Sequence, residues 1–183
     1  VKDVVSGFFI LLENQYAVGD VVTINGQSGT VEKVTLRRTV LRSMRGEVHN
    51  LTNGSISSVT NMTQGWARVV IDLGIAYGTD IDHVKKVVNE VGNEMYLADE
   101  WRGKLTEKPS FVGVTAFGES EITVRAWCKT KTFQNWGVER ELNLRLKTAF
   151  EAENIEIPFP KRDINVVVQA QSELTNALEP KQN

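Results

Sequence analysis

The sequence GFFILLENQYAVGDVVTI (residues 7–24) joins a run of bulky apolar side chains directly to a pattern typical of β-strands. Residues 1–12 place apolar side chains around most of a short helix, well below the roughly 20 apolar residues that cross a bilayer. A signal peptide is not indicated, because Lys2 precedes Asp3 and no small-residue cleavage site follows. Two interpretations remain, a buried helix that caps a soluble domain and a helix end beside a membrane. In the second, the contacts would be Phe8, Phe9, Leu11 and Leu12.

Residues 19–62 carry β signals throughout. Asn25-Gly26 lies between two apolar runs, and both residue types tolerate the positive φ angles of a type I′ hairpin turn. Further turns are indicated at Arg45-Gly46 and at Asn53-Gly54. This spacing predicts four or five short strands in a small twisted barrel or sandwich.

The pattern changes after residues 64–66. Residues 67–75 predict a strand, and Thr79 or Asp80 caps a helix with apolar side chains at helical spacing. Residues 111–117 and 122–128 predict two strands, residues 134–153 a second helix and residues 155–159 a last strand. The order βαββαβ is that of a ferredoxin-like domain, so the fold class is α+β.

A further strand is predicted beyond the prolines at positions 158 and 160, where Ile164, Val166 and Val168 alternate with other side chains. A lone strand is hard to stabilise in water, so it pairs either with the sheet edge or with copies of itself. Residues 171–183 form a polar tail that is expected to be loose.

Composition argues against several classes of function. The formal net charge of -2 disfavours a general polyanion binder, although four arginines cluster around residues 37–45. The single cysteine, Cys128, excludes an internal disulfide and a thiolate cluster, and the histidines His49 and His83 give no convergent metal set. No nucleotide-binding or nucleophile motif is present, so we expect neither an enzyme nor a cofactor.

Four stretches resemble the small-conductance mechanosensitive channel (MscS) family, and they occur in the family's order. Residues 7–20 resemble its junction of pore helix and β domain, and Asn53-Gly54 resembles its Pro-Asn-Gly turn. AYGTDIDHV (residues 76–84) resembles its Ala-Tyr-x-x-Asp-x-x-x-Val helix start, and IPFP (residues 157–160) its closing Pro-aromatic-Pro. Thr52 departs from the pattern, because the family usually has proline there, which makes this turn less rigid.

The resemblance implies a division of the chain into five segments. Residues 1–14 would be the end of a pore helix, 15–63 an Sm-like β domain and 64–160 a ferredoxin-like α/β domain. Residues 161–170 would form an oligomerisation strand that closes a small barrel, and 171–183 a flexible tail. Asn53 and Gly54 would form an interdomain turn.

The resemblance also implies a function. The chain would be the cytoplasmic vestibule of a tension-gated channel in the bacterial inner membrane, with the gate upstream of Val1, and would release ions and small osmolytes after osmotic downshock. Its partners would be six further copies in a homo-heptamer and membrane lipid at the N-terminal helix, with no nucleic acid. Gln64, Trp66 and Arg68 would line side portals. The alternatives are a soluble β-barrel protein that binds an anion or RNA, and a ferredoxin-like sensor of a small ligand.

Overall fold

The computed structural model describes residues 1–160, which form a helix and two sheet-containing domains. The first domain contains α1 (Lys2–Leu12), β1 (Val21–Ile24), β2 (Gln27–Val34), β3 (Arg38–Arg42), β4 (Val48–Thr52), a 3-10 turn (Asn53–Ser55) and β5 (Val59–Asn61). The second contains β6 (Trp66–Ile75), α2 (Ile81–Leu97), α3 (Asp99–Arg102), β7 (Ser110–Phe117), β8 (Ile122–Lys131) and α4 (Asn135–Ala152). The predicted α+β class is confirmed.

The first domain is one antiparallel sheet in the order β4-β3-β2-β1-β5. The predicted hairpin turn between β1 and β2 forms with φ angles of 49° at Asn25 and 81° at Gly26, as a type I′ turn requires. The core of this domain includes one residue of α1, so the helix and the sheet share a hydrophobic interior. Its buried members are Ile10, Tyr16, Val22, Ile24, Val31 and Leu41.

The second domain is a three-stranded antiparallel sheet in the order β6-β8-β7, with α2 and α4 packed on one face. Strict alternation along β8 buries Val124, Ala126 and Cys128 beneath the helices, as the sequence pattern predicts. The helical spacing of α4 likewise buries Val138, Leu142, Leu146 and Phe150. Because the helices cover only one face, the other face of the sheet is left open by residues 1–160.

The predicted strand at residues 155–159 is wrong, since these residues adopt no regular secondary structure. Ile155 is buried in the core, and Ala76 donates one backbone hydrogen bond of 3.1 Å to the Glu156 carbonyl oxygen. Pro158 and Pro160 have no N–H to donate and restrict the residues before them, so the segment reaches the edge of β6 without forming a ladder. The predicted oligomerisation strand (Ile164, Val166 and Val168) and the tail lie outside the described residues.

Candidate functional site

The first candidate site is the junction where α1 crosses the β domain. Gly7 is buried at the crossing, and a Cβ there would overlap both the Leu36 carbonyl oxygen and the Asn53 side-chain amide. Glycine is therefore the residue that allows the helix to approach the loop before β3 this closely.

A second contact fixes the start of the helix. The Gly54 N–H donates a hydrogen bond of 3.0 Å to Asp3 Oδ1, and a Cβ at Gly54 would overlap that carboxylate. The Asn53-Gly54 turn lies between β4 and β5 of the first domain and contacts α1. The prediction of a turn at these residues is confirmed. The turn lies within the β domain and packs against α1, so its prediction as an interdomain turn is wrong.

Buried polar side chains continue this contact into the core of the β domain. Thr39 donates its hydroxyl hydrogen to Asn53 Oδ1 at 3.0 Å, and Asn53 Nδ2 donates to the Thr35 carbonyl oxygen at 2.7 Å. Because the Thr39 hydrogen is used in this way, Tyr16 Oη must be the donor in its 2.8 Å bond to Thr39 Oγ1. Burial raises the pKa of Tyr16 above its usual value.

The sequence indicated Asn53 but gave no sign that Tyr16 and Thr39 share its network. Tyr16, Thr39 and Asn53 are each at most 2% exposed, so every polar atom in the chain of bonds depends on its neighbour for a partner. The network makes the junction between α1 and the β domain a specific one.

The outer face of α1 carries the apolar side chains predicted to contact a membrane. Phe8 is 53% exposed and Leu12 is 66% exposed, with Phe9 and Leu11 also exposed beside them. One face of the helix is therefore fixed to the β domain, while the other presents apolar surface that no other part of residues 1–160 covers.

The second candidate site is the face of the β6-β8-β7 sheet that the helices leave open. Along β6 this face carries Trp66, Arg68, Val70 and Asp72, which pair across to Lys131, Lys129, Trp127 and Arg125 of β8. Arg125 binds Asp72 through two hydrogen bonds, of 2.7 and 2.8 Å. Hydrogen bonding from this guanidinium lowers the pKa of Asp72 below its usual value.

Two tryptophans and two cations form a cluster on this face. The Arg68 guanidinium carbon lies 4.7 Å from the Trp127 ring centroid and 5.3 Å from that of Trp66. Lys129 Nζ lies 4.4 Å from the Trp66 centroid, so all three contacts are within cation–π range. We call Trp66, Arg68, Trp127 and Lys129 the indole–cation cluster.

The structure thus brings together two of the three residues predicted to line a portal. Gln64 lies in the loop before β6, where its carbonyl oxygen accepts a 3.0 Å hydrogen bond from the Trp66 N–H. Sequence reasoning missed Trp127 and Lys129 as members of the site. Their alternation with buried residues of β8 placed them on the open face, but their position opposite β6 depends on strand register.

The Ala-Tyr-x-x-Asp motif lines an open cleft of about 710 Å³, at the end of the second domain where β6 ends and α2 begins. Tyr77 Oη donates a 2.5 Å hydrogen bond to the Gly118 carbonyl oxygen, and Asp80 Oδ1 accepts a 2.9 Å bond from the Asp82 N–H. Asp80 is therefore the N-cap of α2, as predicted, and its carboxylate serves the helix end.

His83 and Cys128, which could have been catalytic or metal-binding side chains, both make structural contacts. His83 Nε2 lies 3.4 Å from Glu153, an ion pair that joins α2 to the end of α4 when the imidazole is protonated. Burial raises the pKa of the Cys128 thiol to about 12, so it is not a nucleophile at neutral pH. Among residues 1–160, no cluster of three or more His, Cys, Asp or Glu side chains has the arrangement of a metal site.

The arginines around β3 are partly committed to local partners. Arg42 forms an ion pair with Glu32 and donates a 2.8 Å hydrogen bond to the Gly46 carbonyl oxygen. This pairing on an exposed strand face leaves less charge for a polyanion.

None of the helices between residues 1 and 160 has both the length and the apolar content to traverse a lipid bilayer. Residues 1–64 match the family model for the β-domain of mechanosensitive ion channels, and residues 69–157 match that for the C-terminal part of MscS.

Individual relatives agree with these matches. A small-conductance mechanosensitive channel of Caldanaerobacter subterraneus is 37% identical over 164 residues, covering 90% of this chain and 57% of that protein. One from Helicobacter pylori is 31% identical over 176 residues, covering 93% of this chain and 62% of that protein. The crystal structure of H. pylori MscS in its closed state superposes with a TM-score of 0.75 at 27% identity, covering 92% of this chain and 66% of that one. This chain thus spans about three fifths of its relatives' length, and it belongs to the MscS family of mechanosensitive channels.

Proposed function

We propose that this chain is the cytoplasmic vestibule portion of a tension-gated channel of the bacterial inner membrane, which releases ions and small osmolytes after osmotic downshock. In this proposal the chain assembles with copies of itself, as a homo-heptamer, and contacts lipid through α1. We assign it no catalytic activity, no cofactor and no nucleic-acid partner. Family membership supports the channel activity, and the geometry of α1 supports the way in which this portion takes part.

The observation that carries the proposal is the two-sided character of α1. Its inner face is held by the close approach of Gly7 to Leu36 and by the Asp3–Gly54 hydrogen bond. Its outer face is apolar and exposed, which is the arrangement expected of a segment that meets a membrane or a membrane-spanning neighbour. A force on α1 is therefore passed to the β domain through short, specific contacts.

The test is a Gly7→Ala substitution in the full-length channel, with the membrane tension for half-maximal opening measured in excised patches. The added methyl group overlaps the Leu36 carbonyl oxygen, so α1 must shift on the β domain and the tension threshold is expected to change. Gly137→Ala in α4 is the matched control, since a Cβ there meets only Trp101 at an ordinary 4.0 Å. A current that does not depend on membrane tension in the unsubstituted channel would overturn the channel assignment. Equal tension thresholds in Gly7→Ala and Gly137→Ala would overturn the role of α1.

We also propose that Gln64, Trp66 and Arg68 line side openings of the vestibule. The support is that Trp66 and Arg68 lie on the open face of the second sheet, close to the link between the two domains. A cation on such a surface raises the local concentration of anions.

A further inference from the structure

Two cations face each other directly on the open sheet face. Arg68 and Lys129 are register partners on β6 and β8, and like charges in directly opposed positions of an antiparallel pair are destabilising. Neither forms an ion pair or donates a side-chain hydrogen bond to any residue between 1 and 160. Lys131, opposite Trp66 on the same face, adds a third positive charge.

Neither Asp72 on β6 nor Glu107, in the segment before β7, neutralises the pair. Asp72 lies on the same face but is bound to Arg125 through both of its oxygens. The Glu107 N–H donates a 3.2 Å hydrogen bond to the Lys129 carbonyl oxygen, yet the Glu107 carboxylate makes no ion pair with the Lys129 ammonium group.

The indole rings hold these cations in position without neutralising them. Arg68 contacts both Trp66 and Trp127, and Lys129 contacts Trp66, so aromatic surfaces restrict the two long side chains. No acceptor among residues 1–160 takes the guanidinium N–H groups of Arg68, and their planar fork matches the two oxygens of a carboxylate. Trp66 is 49% exposed and offers an apolar surface beside the charges.

We propose that the indole–cation cluster is a binding site for a small organic carboxylate. The carboxylate oxygens accept hydrogen bonds from Arg68 and a charge-assisted contact from Lys129, and the carbon skeleton of the ligand lies on the exposed Trp66 ring. The anion offsets the repulsion between the two cations. Any role of this site in permeation rests on the proposed channel function. Binding of the carboxylate requires only this chain.

The test is a titration of the 183-residue chain with sodium succinate at constant ionic strength, followed by the NMR signals of the four tryptophan indole N–H groups. We expect saturable shifts of the Trp66 and Trp127 signals, with those of Trp101 and Trp136 unchanged. Arg68→Gln and Lys129→Gln are each expected to weaken binding at least fivefold. Lys85→Gln on α2, an exposed lysine outside the cluster, is the control that leaves binding unchanged.

Parallel titrations with sodium phosphate and sodium chloride distinguish the anions. Saturation by phosphate without saturation by succinate would overturn the carboxylate assignment, and equal shifts with chloride would show screening and overturn the site. Binding that survives Lys129→Gln undiminished would also overturn it. Because the titration uses no membrane, a negative result leaves the proposed channel function intact, and a failure of tension gating leaves the binding result intact.

Discussion

Single atoms decide how α1 is joined to the β domain. A Cβ atom at Gly7 or at Gly54 would push α1 away from the loop before β3 or from the turn at Asn53. The Asn53 side chain accepts a hydrogen bond from Thr39 and donates one to the Thr35 carbonyl oxygen. The sequence indicated Asn53 and Gly54 as a turn. It could not show which atoms the glycines approach, because those atoms come from residues 29 to 51 positions away in the chain.

Tyr16 provides a test of the buried network at this scale. Tyr16→Phe removes the donor to Thr39 and is expected to lower the free energy of unfolding by about 1 kcal/mol, the net value of a buried neutral hydrogen bond. Urea denaturation measures this change. Tyr96→Phe is the control, because the Tyr96 hydroxyl has no hydrogen-bond partner within residues 1–160, and an equal loss in both variants would contradict the network.

The same residue predicts a dependence on alkaline pH. The pKa of Tyr16 is raised in the folded state above its ordinary value of 10.0, so the folded chain holds this proton more tightly than the unfolded chain does. The resulting stabilisation is complete below pH 10 and is lost as the pH rises above it towards the folded-state pKa. Tyr16→Phe should therefore lose less stability than the wild type as the pH is raised above 10.0 in the same urea experiments.

At the scale of elements, alternation and helical spacing predicted most of the fold. β8 and α4 bury the side chains that their periods select, and Asp80 caps α2. The strand predicted at residues 155–159 failed because a short apolar run does not show whether its N–H groups can reach a partner, and two prolines prevent a ladder. The sequence predicted two members of the indole–cation cluster, Trp66 and Arg68, which lie on one strand. It could not predict Lys129, because the position of Lys129 opposite Arg68 depends on the register of β6 and β8.

The exposed face of α1 gives a prediction at this scale. Replacing Phe8 and Phe9 with Ser removes large apolar surface that is 53% and 48% exposed, so the solubility of the isolated chain should increase. The tension threshold of the full-length channel should also shift. Leu144→Ser is a control for exposed apolar surface, because Leu144 is 59% exposed on α4, away from the junction. If solubility and gating are both unchanged, α1 is an inert linker.

For the whole molecule, a single copy leaves the open sheet face and the outer face of α1 uncovered by any other part of residues 1–160. A ring of copies is the assembly that we propose, and the alternating pattern at Ile164, Val166 and Val168 suggests how it is closed. Sedimentation of the chain should then show an oligomer. Truncation after Pro160 should weaken the ring while both domains stay folded, and an equally stable ring after truncation would show that the strand was misinterpreted.

The last prediction concerns permeation through such a ring. Arg68→Glu replaces a guanidinium held between two indole rings by a carboxylate opposite Lys129, so the open face changes from a surface with two adjacent cations to a neutral pair. Anions then lose their local enrichment, and the reversal potential of the full-length channel in a salt gradient should shift towards that of a cation-preferring pore. Lys85→Glu on α2 makes the same change of two charge units outside the cluster. A charge beside the permeation path acts on passing ions more strongly than a distant charge that salt screens. An unchanged reversal potential in Arg68→Glu would therefore remove Arg68 from the residues that line the openings. An equal shift in Arg68→Glu and Lys85→Glu would remove it as well.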